Sequence, residues 1–291
     1  MSRATAPIGV FDSGLGGLHL SARLRRRLPA EALLYLGDSA RVPYGTRSPM
    51  IIERYTHEAL TALLHEEVKV VVLACHTASA HALDGCRQRS PVPVLGMIEA
   101  GRRAIEAALP VTAAETPTRV LVLGTSATIR SGAYQRALTP LAGRISLCSL
   151  AAPLLVPLVE SGWARHRLAV EIAREYLTPL AADPPALCLL ACTHYPLLRE
   201  TLEEAAASIF PTPPRFIDPA DALIDQLIET LQSAAELTPI EQGEGSCRLW
   251  CTAPPLEGVP FAEELWRAAT GAQLPTFSLT ELSSHSAGEL L

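Results

Sequence analysis

The chain has 291 residues, 48% of them hydrophobic, and a formal net charge of −6. This length and composition predict one large or two medium globular domains, and the acidic balance excludes the basic surface that nucleic-acid binding requires. With no apolar run near the roughly 18 residues of a membrane helix, no N-terminal signal stretch and an odd number of cysteines, 7, we expect a cytoplasmic protein with reduced thiols.

Short apolar runs alternate with amphipathic stretches in the first third of the chain. The runs at 8–11, 32–37, 68–74 and 92–97 predict strands, and the first three are apolar at their centres, as in strands covered on both faces by helices. Between the second and third runs, Ser48 predicts a helix N-cap and Pro49 a first-turn residue. This β–α–β order predicts a parallel sheet.

Lys69 is the only lysine of the chain and lies at the start of the third run. A lysine at a strand end is expected to extend its amine to water. Pyridoxal enzymes need a lysine for their Schiff base, and no other lysine is available. The sequence therefore argues against pyridoxal chemistry.

The second half of the chain repeats the order of the first. Runs at 119–124, 144–150, 186–191 and 215–217 predict four more strands, and the letters ACTH at 191–194 fall opposite ACHT at 74–77. FDSG in the first half likewise falls opposite GTSA in the second. We therefore predict an internal duplication: an α/β protein of two pseudo-symmetric domains, each a mainly parallel sheet flanked by helices, with a cleft between them.

The domain assignment follows the two repeats. We predict an N-terminal domain of residues 1–98 and 212–291, a second domain of residues 99–211, and a hinge near 98–100 and 208–214. The returning C-terminal segment is expected to contain a helix, a short strand and another helix. Its last residues, 283–291, have a composition typical of disorder.

Two cysteines, Cys75 and Cys192, end equivalent runs in the two repeats and are each followed by threonine and histidine. Sites in open parallel sheets form beyond the carboxyl ends of the strands, so two facing repeats would bring both thiols to one ligand. One thiolate could then remove a proton from a carbon centre while the other thiol returns a proton to the opposite face. Such an inversion needs neither a metal nor a cofactor.

Polar residues near the two cysteines are candidates for tuning the thiols. Asp12 and Ser13 follow the first strand, and His194 lies two residues after Cys192. A thiol is a weak base for an α-carbon, so these groups are expected to stabilise the thiolate. The hydroxyls of Ser13, Thr77 and Thr193, with nearby backbone N–H groups, are expected to bind the substrate carboxylate and the developing carbanion.

Two other ligand classes, a dinucleotide and a metal ion, fit the sequence less well. The loop FDSGLGGLHL resembles a dinucleotide-binding loop, but its third glycine position is His19, and Asp12 would repel a pyrophosphate. A metal site could be built from Cys75, His76, Cys192 and His194 across the cleft, and it stays a less favoured alternative.

Six ordered blocks resemble the glutamate racemase family: FDSGLGG, GDSARVPYG, ACHTASA, GTSATIRSGAY, VPLVESG and ACTHYPLL, over roughly residues 8–281. The resemblance implies a two-domain pseudo-symmetric fold and cofactor-independent interconversion of L- and D-glutamate, which supplies D-glutamate for peptidoglycan and the cell wall. It also implies a small-molecule substrate, no nucleic-acid or membrane partner, and a homodimer, which the sequence alone does not establish.

The resemblance also implies site residues, by match of position. Cys75 and Cys192 would be the acid/base thiols, and Asp12, Glu160 and His194 would assist them. Glu160, Tyr44 and Gly45 come from the resemblance alone. The residues expected to contact substrate are Asp12, Ser13, Tyr44, Gly45, His76, Thr77, Thr125, Thr128, Thr193 and His194.

The chain departs from the family pattern at His76, where asparagine is usual. If His76 faces the cleft, a neutral ring could hydrogen-bond a substrate carboxylate, whereas a charged ring would lower the pKa of Cys75. Smaller departures are Ala191 in place of glycine and Ser39 in place of threonine. The alternatives therefore stay open: a racemase of aspartate or another acidic amino acid, or a catalytically weak paralogue that binds an acidic amino acid.

Overall fold

The computed structural model describes residues 3–110, 116–254 and 259–282. Ten strands lie in these ranges: β1 (Ile8–Asp12), β2 (Leu33–Gly37), β3 (Val70–Leu73), β4 (Val94–Gly96), β5 (Thr118–Gly124), β6 (Ile145–Ala151), β7 (Leu187–Ala191), β8 (Arg215–Ile217), β9 (Cys247–Cys251) and β10 (Phe277–Leu279). They form a six-stranded sheet in the order β10-β9-β2-β1-β3-β4 and a four-stranded sheet in the order β6-β5-β7-β8. Every described pairing within the two sheets is parallel.

Helices connect and cover the strands. Their bounds are α1 (Leu18–Arg27), α2 (Pro49–His65), α3 (His76–Arg89), α4 (Met97–Ala108), α5 (Ser126–Arg130), α6 (Ala133–Leu138), α7 (Leu155–Glu160), α8 (Arg167–Leu177), α9 (Arg199–Ile209), α10 (Ala220–Ser233) and α11 (Val259–Thr270). As predicted, Ser48 is the N-cap of α2 and Pro49 its first residue. Within the described ranges, no helix combines the length and apolar character needed to span a bilayer.

The two sheets repeat one strand order. The run β2-β1-β3-β4 of the first sheet corresponds to β6-β5-β7-β8 of the second. The predicted two-sheet, pseudo-symmetric α/β fold is therefore confirmed. Cys75 follows β3 and Cys192 follows β7, which are equivalent strands. We call the elements around the six-stranded sheet the first unit and those around the four-stranded sheet the second unit.

The return of the chain to the first unit lies later than predicted. Arg215–Ile217 pairs with β7, with Leu187 opposite Arg215, so this strand belongs to the second sheet although residues 212–291 were assigned to the first domain. Helix α10 then makes the return, since Leu223, Ile224 and Leu227 are buried in the core of the first unit. A three-residue strand has too short a pattern to place its sheet from sequence.

The C-terminal segment adds two strands to the first sheet. Strand β9 pairs with β2, and β10 pairs with β9 at the sheet edge. The sequence predicted β9 and a later helix but not β10, whose three residues, FSL, are partly or fully exposed and too few to establish a strand pattern. The prediction of disorder for 283–291 lies outside the described residues.

Lys69 contradicts the expectation of an amine that reaches water. Its side chain is 0% exposed, and its Nζ lies 2.5 Å from Glu31 Oε2. The amine also donates to the carbonyls of Ala4 and Glu236, at 2.5 and 2.8 Å. A buried ammonium is tolerated because a carboxylate and backbone oxygens neutralise and solvate it. Through these two carbonyl contacts the Lys69 amine links the N-terminal segment to the segment that follows α10.

Helix α4 passes from one unit to the other. Met97 and Ala100, in its first half, are buried in the core of the first unit, while Ile105 and the following Leu109 are buried in a core of the second. Hydrogen bonds from Thr77 to Thr125 and from Thr193 to Asp12 also cross between the units, at the carboxyl ends of their strands. The carboxyl ends of both sheets therefore meet at one place.

Candidate active site

A narrow cavity lies where the carboxyl ends of the two sheets meet. About 20 Å³ of it is accessible to water, roughly the space of one or two molecules. Both units contribute to its wall: Ser13, Val42, Pro43, Tyr44, Gly45, Cys75, His76, Thr77, Thr125, Val156, Cys192, Thr193 and His194.

Ten of the predicted site residues line this cavity. The other three, Asp12, Glu160 and Thr128, lie behind it and hydrogen-bond residues of the wall. The structure therefore brings the two cysteines and all their predicted neighbours together. Val42, Pro43 and Val156 were not predicted, since nothing in their local sequence separates them from ordinary loop or core residues.

Cys75 is the N-cap of α3, so the chain direction at the end of β3 points its sulfur at the cavity. The thiol donates to Ser13 Oγ at 3.4 Å and accepts from the backbone N–H of Ala78 at 3.5 Å. Burial, together with the negative charge of Asp12, raises the pKa of Cys75 to about 12, against the smaller opposing effect of the two hydrogen bonds. Cys75 is therefore a thiol at neutral pH.

Cys192 has a different electrostatic environment. Its Sγ lies 3.8 Å from His194 Nδ1, and His194 Nε2 lies 2.5 Å from Glu160 Oε1. Burial alone would lower the pKa of His194, but the hydrogen bonds and charges of Cys192 and Glu160 outweigh it and raise that pKa well above its usual value. Burial also opposes ionisation of Glu160, yet His194 lowers the pKa of this carboxyl. An imidazolium thus lies between the Glu160 carboxylate and the Cys192 sulfur.

Asp12 connects the first unit to the loop that carries Cys192. It ends β1 and is fully buried; Oδ2 accepts from the N–H groups of Gly14 and Gly17 at 3.2 and 3.0 Å. Its Oδ1 accepts from Thr193 Oγ1 at 3.2 Å. Burial raises the pKa of Asp12, against the effects of nearby His194 and these hydrogen bonds.

The glycines of the FDSGLGG loop let the backbone pass close to candidate site residues. A Cβ on Gly16 would lie 2.7 Å from Thr193 Oγ1 and 2.8 Å from His194 Nδ1. A Cβ on Gly17 would lie 2.6 Å from Asp12 Cβ. The loop therefore needs glycine so that its backbone can pack against the catalytic candidates themselves.

Three threonine hydroxyls form a triangle across the two units. Thr77 Oγ1 lies 2.9 Å from Thr125 Oγ1 and 3.0 Å from Thr128 Oγ1, and the last two are 2.9 Å apart. Each hydroxyl can donate one hydrogen bond and accept others, so the triangle can redirect a proton toward an anionic ligand. Gly45 packs on it, since a Cβ there would lie 2.6 Å from Thr125 Cβ.

His76 faces the cavity and is neutral. Its Nδ1 lies 2.7 Å from the hydroxyl of Tyr134, which donates to the carbonyl oxygen of Met97 at 3.1 Å. Because Tyr134 has one hydroxyl hydrogen and a carbonyl can only accept, this arrangement assigns the ring hydrogen to Nδ1 and leaves Nε2 as an acceptor. Burial lowers the pKa of His76 to about 3. The alternative of a charged ring that activates Cys75 is therefore not supported.

Tyr44 lines the cavity with its ring, while its hydroxyl donates to Asp38. Asp38 also accepts from Arg41 Nε at 2.7 Å and from Thr252 Oγ1 at 2.8 Å. With its hydroxyl engaged by Asp38, the Tyr44 side chain offers the cavity its ring rather than a free hydroxyl. Asp38 and Tyr134 were missed as positioning residues. Asp38 follows β2, and its strand-end position was the available signal.

The donor set for a metal is absent from the described residues, where no three His, Cys, Asp or Glu side chains are arranged to hold an ion. The metal alternative built on Cys75, His76, Cys192 and His194 therefore has no geometric support. In particular, the nitrogens of His194 are both engaged, by Cys192 and Glu160.

The chain is similar in sequence to known proteins. A family model described as Asp/Glu/Hydantoin racemase matches residues 8–227. The chain is 42% identical to a glutamate racemase of Syntrophus aciditrophicus, over 92% of this chain and 95% of that protein.

Two solved structures share the fold over nearly the whole chain. A glutamate racemase from Francisella tularensis in complex with D-glutamate has a TM-score of 0.83 and 29% identity, covering 97% of this chain and 100% of the other. A glutamate racemase from Thermus thermophilus in complex with beta-chloro-D-alanine has a TM-score of 0.76 and 34% identity, covering 96% and 98%.

Proposed function

Because the chain belongs to the Asp/Glu/hydantoin racemase family, we propose that it interconverts L- and D-glutamate with two cysteine acid/base groups and no cofactor. The observation that carries this proposal is that Cys75 and Cys192, from equivalent strand ends, line one cavity. A single base tends to return a proton to the face from which it came. A second thiol on the opposite side of the substrate can deliver a proton to the other face.

The reaction begins with the thiolate at Cys192 and the thiol at Cys75. The Cys192 thiolate takes the Cα proton of the enantiomer whose Cα–H bond points toward Cys192. The bonding electron pair stays on the substrate, which becomes a carbanion. Cys75 then donates its proton to the opposite face and becomes the thiolate. The unequal environments of the two sulfurs support this order, because His194 and Glu160 stabilise negative charge only on the Cys192 side.

The opposite direction needs the thiolate on Cys75. With a pKa of about 12, ionising this thiol at about pH 8 costs about 5 kcal/mol in the protein alone. The α-ammonium group of the substrate brings a positive charge into the cavity and so favours the thiolate. His76 Nε2, an acceptor, is suited to that ammonium rather than to a carboxylate.

The hydroxyl groups of the cavity support an acidic amino acid as substrate. Ser13, Thr77, Thr125 and Thr193 line it, and hydroxyls bind carboxylates by donating to them. Glutamate is preferred over aspartate because two relatives that are 42% and 39% identical, over 92% and 81% of this chain, are named glutamate racemases. In this proposal the product, D-glutamate, supplies peptidoglycan synthesis, and the chain works in the cytoplasm as a homodimer; light scattering tests the dimer.

The small cavity requires the units to move. A space for one or two water molecules does not accept a five-carbon amino acid, so the units must separate for exchange of substrate and product. Helix α4, which is shared between the two cores, is the element about which we expect this motion.

The test is incubation of the protein with L-glutamate in D₂O, without pyridoxal phosphate. Circular dichroism should fall toward zero while the α-proton signal in NMR is replaced by deuterium. No loss of dichroism over long incubation would remove the racemase proposal. Parallel samples with L-aspartate test the alternative substrate, and faster loss of dichroism there would replace glutamate with aspartate.

A second candidate function rests on His76. A catalytically weak protein that binds an acidic amino acid would result if the ring hinders the substrate where the family has an amide. In that case His76→Asn should raise kcat/KM at least tenfold. If His76 instead binds the ammonium, the same variant should leave kcat/KM unchanged or lower it, mainly through KM.

A further inference from the structure

A second cavity, of about 330 Å³, opens between the two units outside the active site. We call it the arginine cavity. Arg47 and Pro49, with Ala80 and His81 of α3, come from the first unit; Ala127, Arg130, Ser131 and Arg136 come from the second. His81 Nε2 lies 3.1 Å from the carbonyl oxygen of Ala127, so a hydrogen bond fixes the wall across the two units.

The charge of the arginine cavity is entirely positive. Three arginines, all of them exposed, are among its lining residues, which include no Asp or Glu. The Arg136 guanidinium donates to the carbonyl oxygen of Ser131 at 2.8 Å, which uses one of its five N–H groups. Elsewhere Arg41, Arg102 and many other arginines pair with carboxylates. Like charges around one concave space repel each other and attract anions.

We infer that the arginine cavity binds a multiply charged oxyanion, of the phosphate or polycarboxylate class. Guanidinium groups bind such anions through paired N–H donors, and three arginines around one cavity suit two or more negative charges. The lining offers no carboxylate to an ammonium group, so a zwitterionic amino acid matches it poorly. This separates the proposed ligand from the glutamate of the active site.

The position of the arginine cavity gives the anion a way to influence the active site. Arg47 directly follows the Tyr44–Thr46 turn, whose Tyr44 and Gly45 wall the active-site cavity. Arg130 ends α5, which begins just after Thr125, on which Gly45 packs. An anion held by Arg47 and Arg130 together joins the two units beside this contact and so opposes their separation.

The binding test uses inorganic pyrophosphate and calorimetry at low ionic strength, with no turnover involved. Arg130→Gln and Arg136→Gln should each weaken binding about tenfold, whereas Arg26→Gln, the same change at an exposed arginine of α1, should leave it within twofold. Equal weakening by Arg26→Gln, or no binding to the wild type, overturns the site. Glutarate in a parallel titration distinguishes a polycarboxylate ligand from a phosphate ligand.

Two further measurements separate this site from the active site. Saturating D-glutamate should not displace bound pyrophosphate, although it can change its affinity through the position of the two units; mutually exclusive binding would mean that the anion occupies the active site and would overturn the inference. Pyrophosphate should also slow the alkylation of Cys75 and Cys192 by iodoacetamide several-fold in the wild type but not in Arg130→Gln. If the alkylation rate is unchanged when pyrophosphate is bound, the claim that the anion holds the two units together is refuted.

Discussion

Glu160→Gln tests the electrostatic support of Cys192. Glu160 Oε1 lies 2.5 Å from His194 Nε2, and its side chain is 27% exposed. A hydrogen bond between charged groups contributes about 1.5–3 kcal/mol, and partial exposure favours the lower half of that range. At 1.36 kcal/mol per pKa unit, the substitution should lower the pKa of His194 by about one.

The consequence for catalysis has a definite sign. The raised pKa of His194 keeps the imidazolium charged at neutral pH, and this charge is lost as the pH rises through that pKa. A lower pKa therefore moves the basic limb of the kcat/KM profile to lower pH. Weaker support of the thiolate should also reduce kcat/KM at neutral pH by about tenfold. Because two enantiomers have equal free energy, the reduction must be the same in both directions.

The assay is racemisation from L- and from D-glutamate across the pH range, with the His194 ring titrated by NMR. Glu171→Gln is the matched control, since Glu171 is an exposed partner of Arg174 on α8, and it should change kcat/KM less than twofold. The reasoning is refuted if Glu160→Gln lowers activity without moving either the basic limb or the titration of His194, because a purely structural role would do that.

Substitutions in three other parts of the structure test the two thiols, the buried ion pair and the turn at Gly45. Cys75→Ala and Cys192→Ala should each abolish racemisation. In D₂O each variant should still exchange the Cα proton of one enantiomer, and the two variants should act on different enantiomers. Exchange of both enantiomers by a single variant contradicts a mechanism with two opposed bases. Lys69→Met leaves the Glu31 carboxylate buried without its charged partner and should reduce the free energy of unfolding in urea by about 3–5 kcal/mol. Adding Glu31→Leu should recover most of this loss. An unchanged urea midpoint in Lys69→Met would mean that the ion pair makes no net contribution to stability. Gly45→Ala introduces a methyl group against Thr125, which should reduce the free energy of unfolding by about 1–3 kcal/mol and lower kcat/KM at least tenfold. Full activity would show that this turn is not tightly packed during turnover.

The fold was largely predictable because its signals are local. Fully apolar runs such as 70–73 mark strands covered on both faces, and Ser48 with Pro49 marks a helix start. The repeated Ala-Cys motif indicated the duplication, and the matching strand order of the two sheets confirms it. The short strands Arg215–Ile217 and Phe277–Leu279 escaped correct placement because three residues carry too little pattern to choose a sheet.

The sequence alone determined the chemistry that this protein can attempt: two thiols at equivalent strand ends, with Asp12, Ser13 and His194 beside them. It could not determine which sulfur lies beside a charged imidazole, because this depends on Glu160 contacting His194 from a helix that ends 34 residues earlier in the chain. Nor could it show that His76 is neutral through burial against Tyr134, or that Lys69 pairs with Glu31 in the interior. Burial and the distance between charges decide pKa values, and both are properties of the folded chain rather than of neighbouring letters.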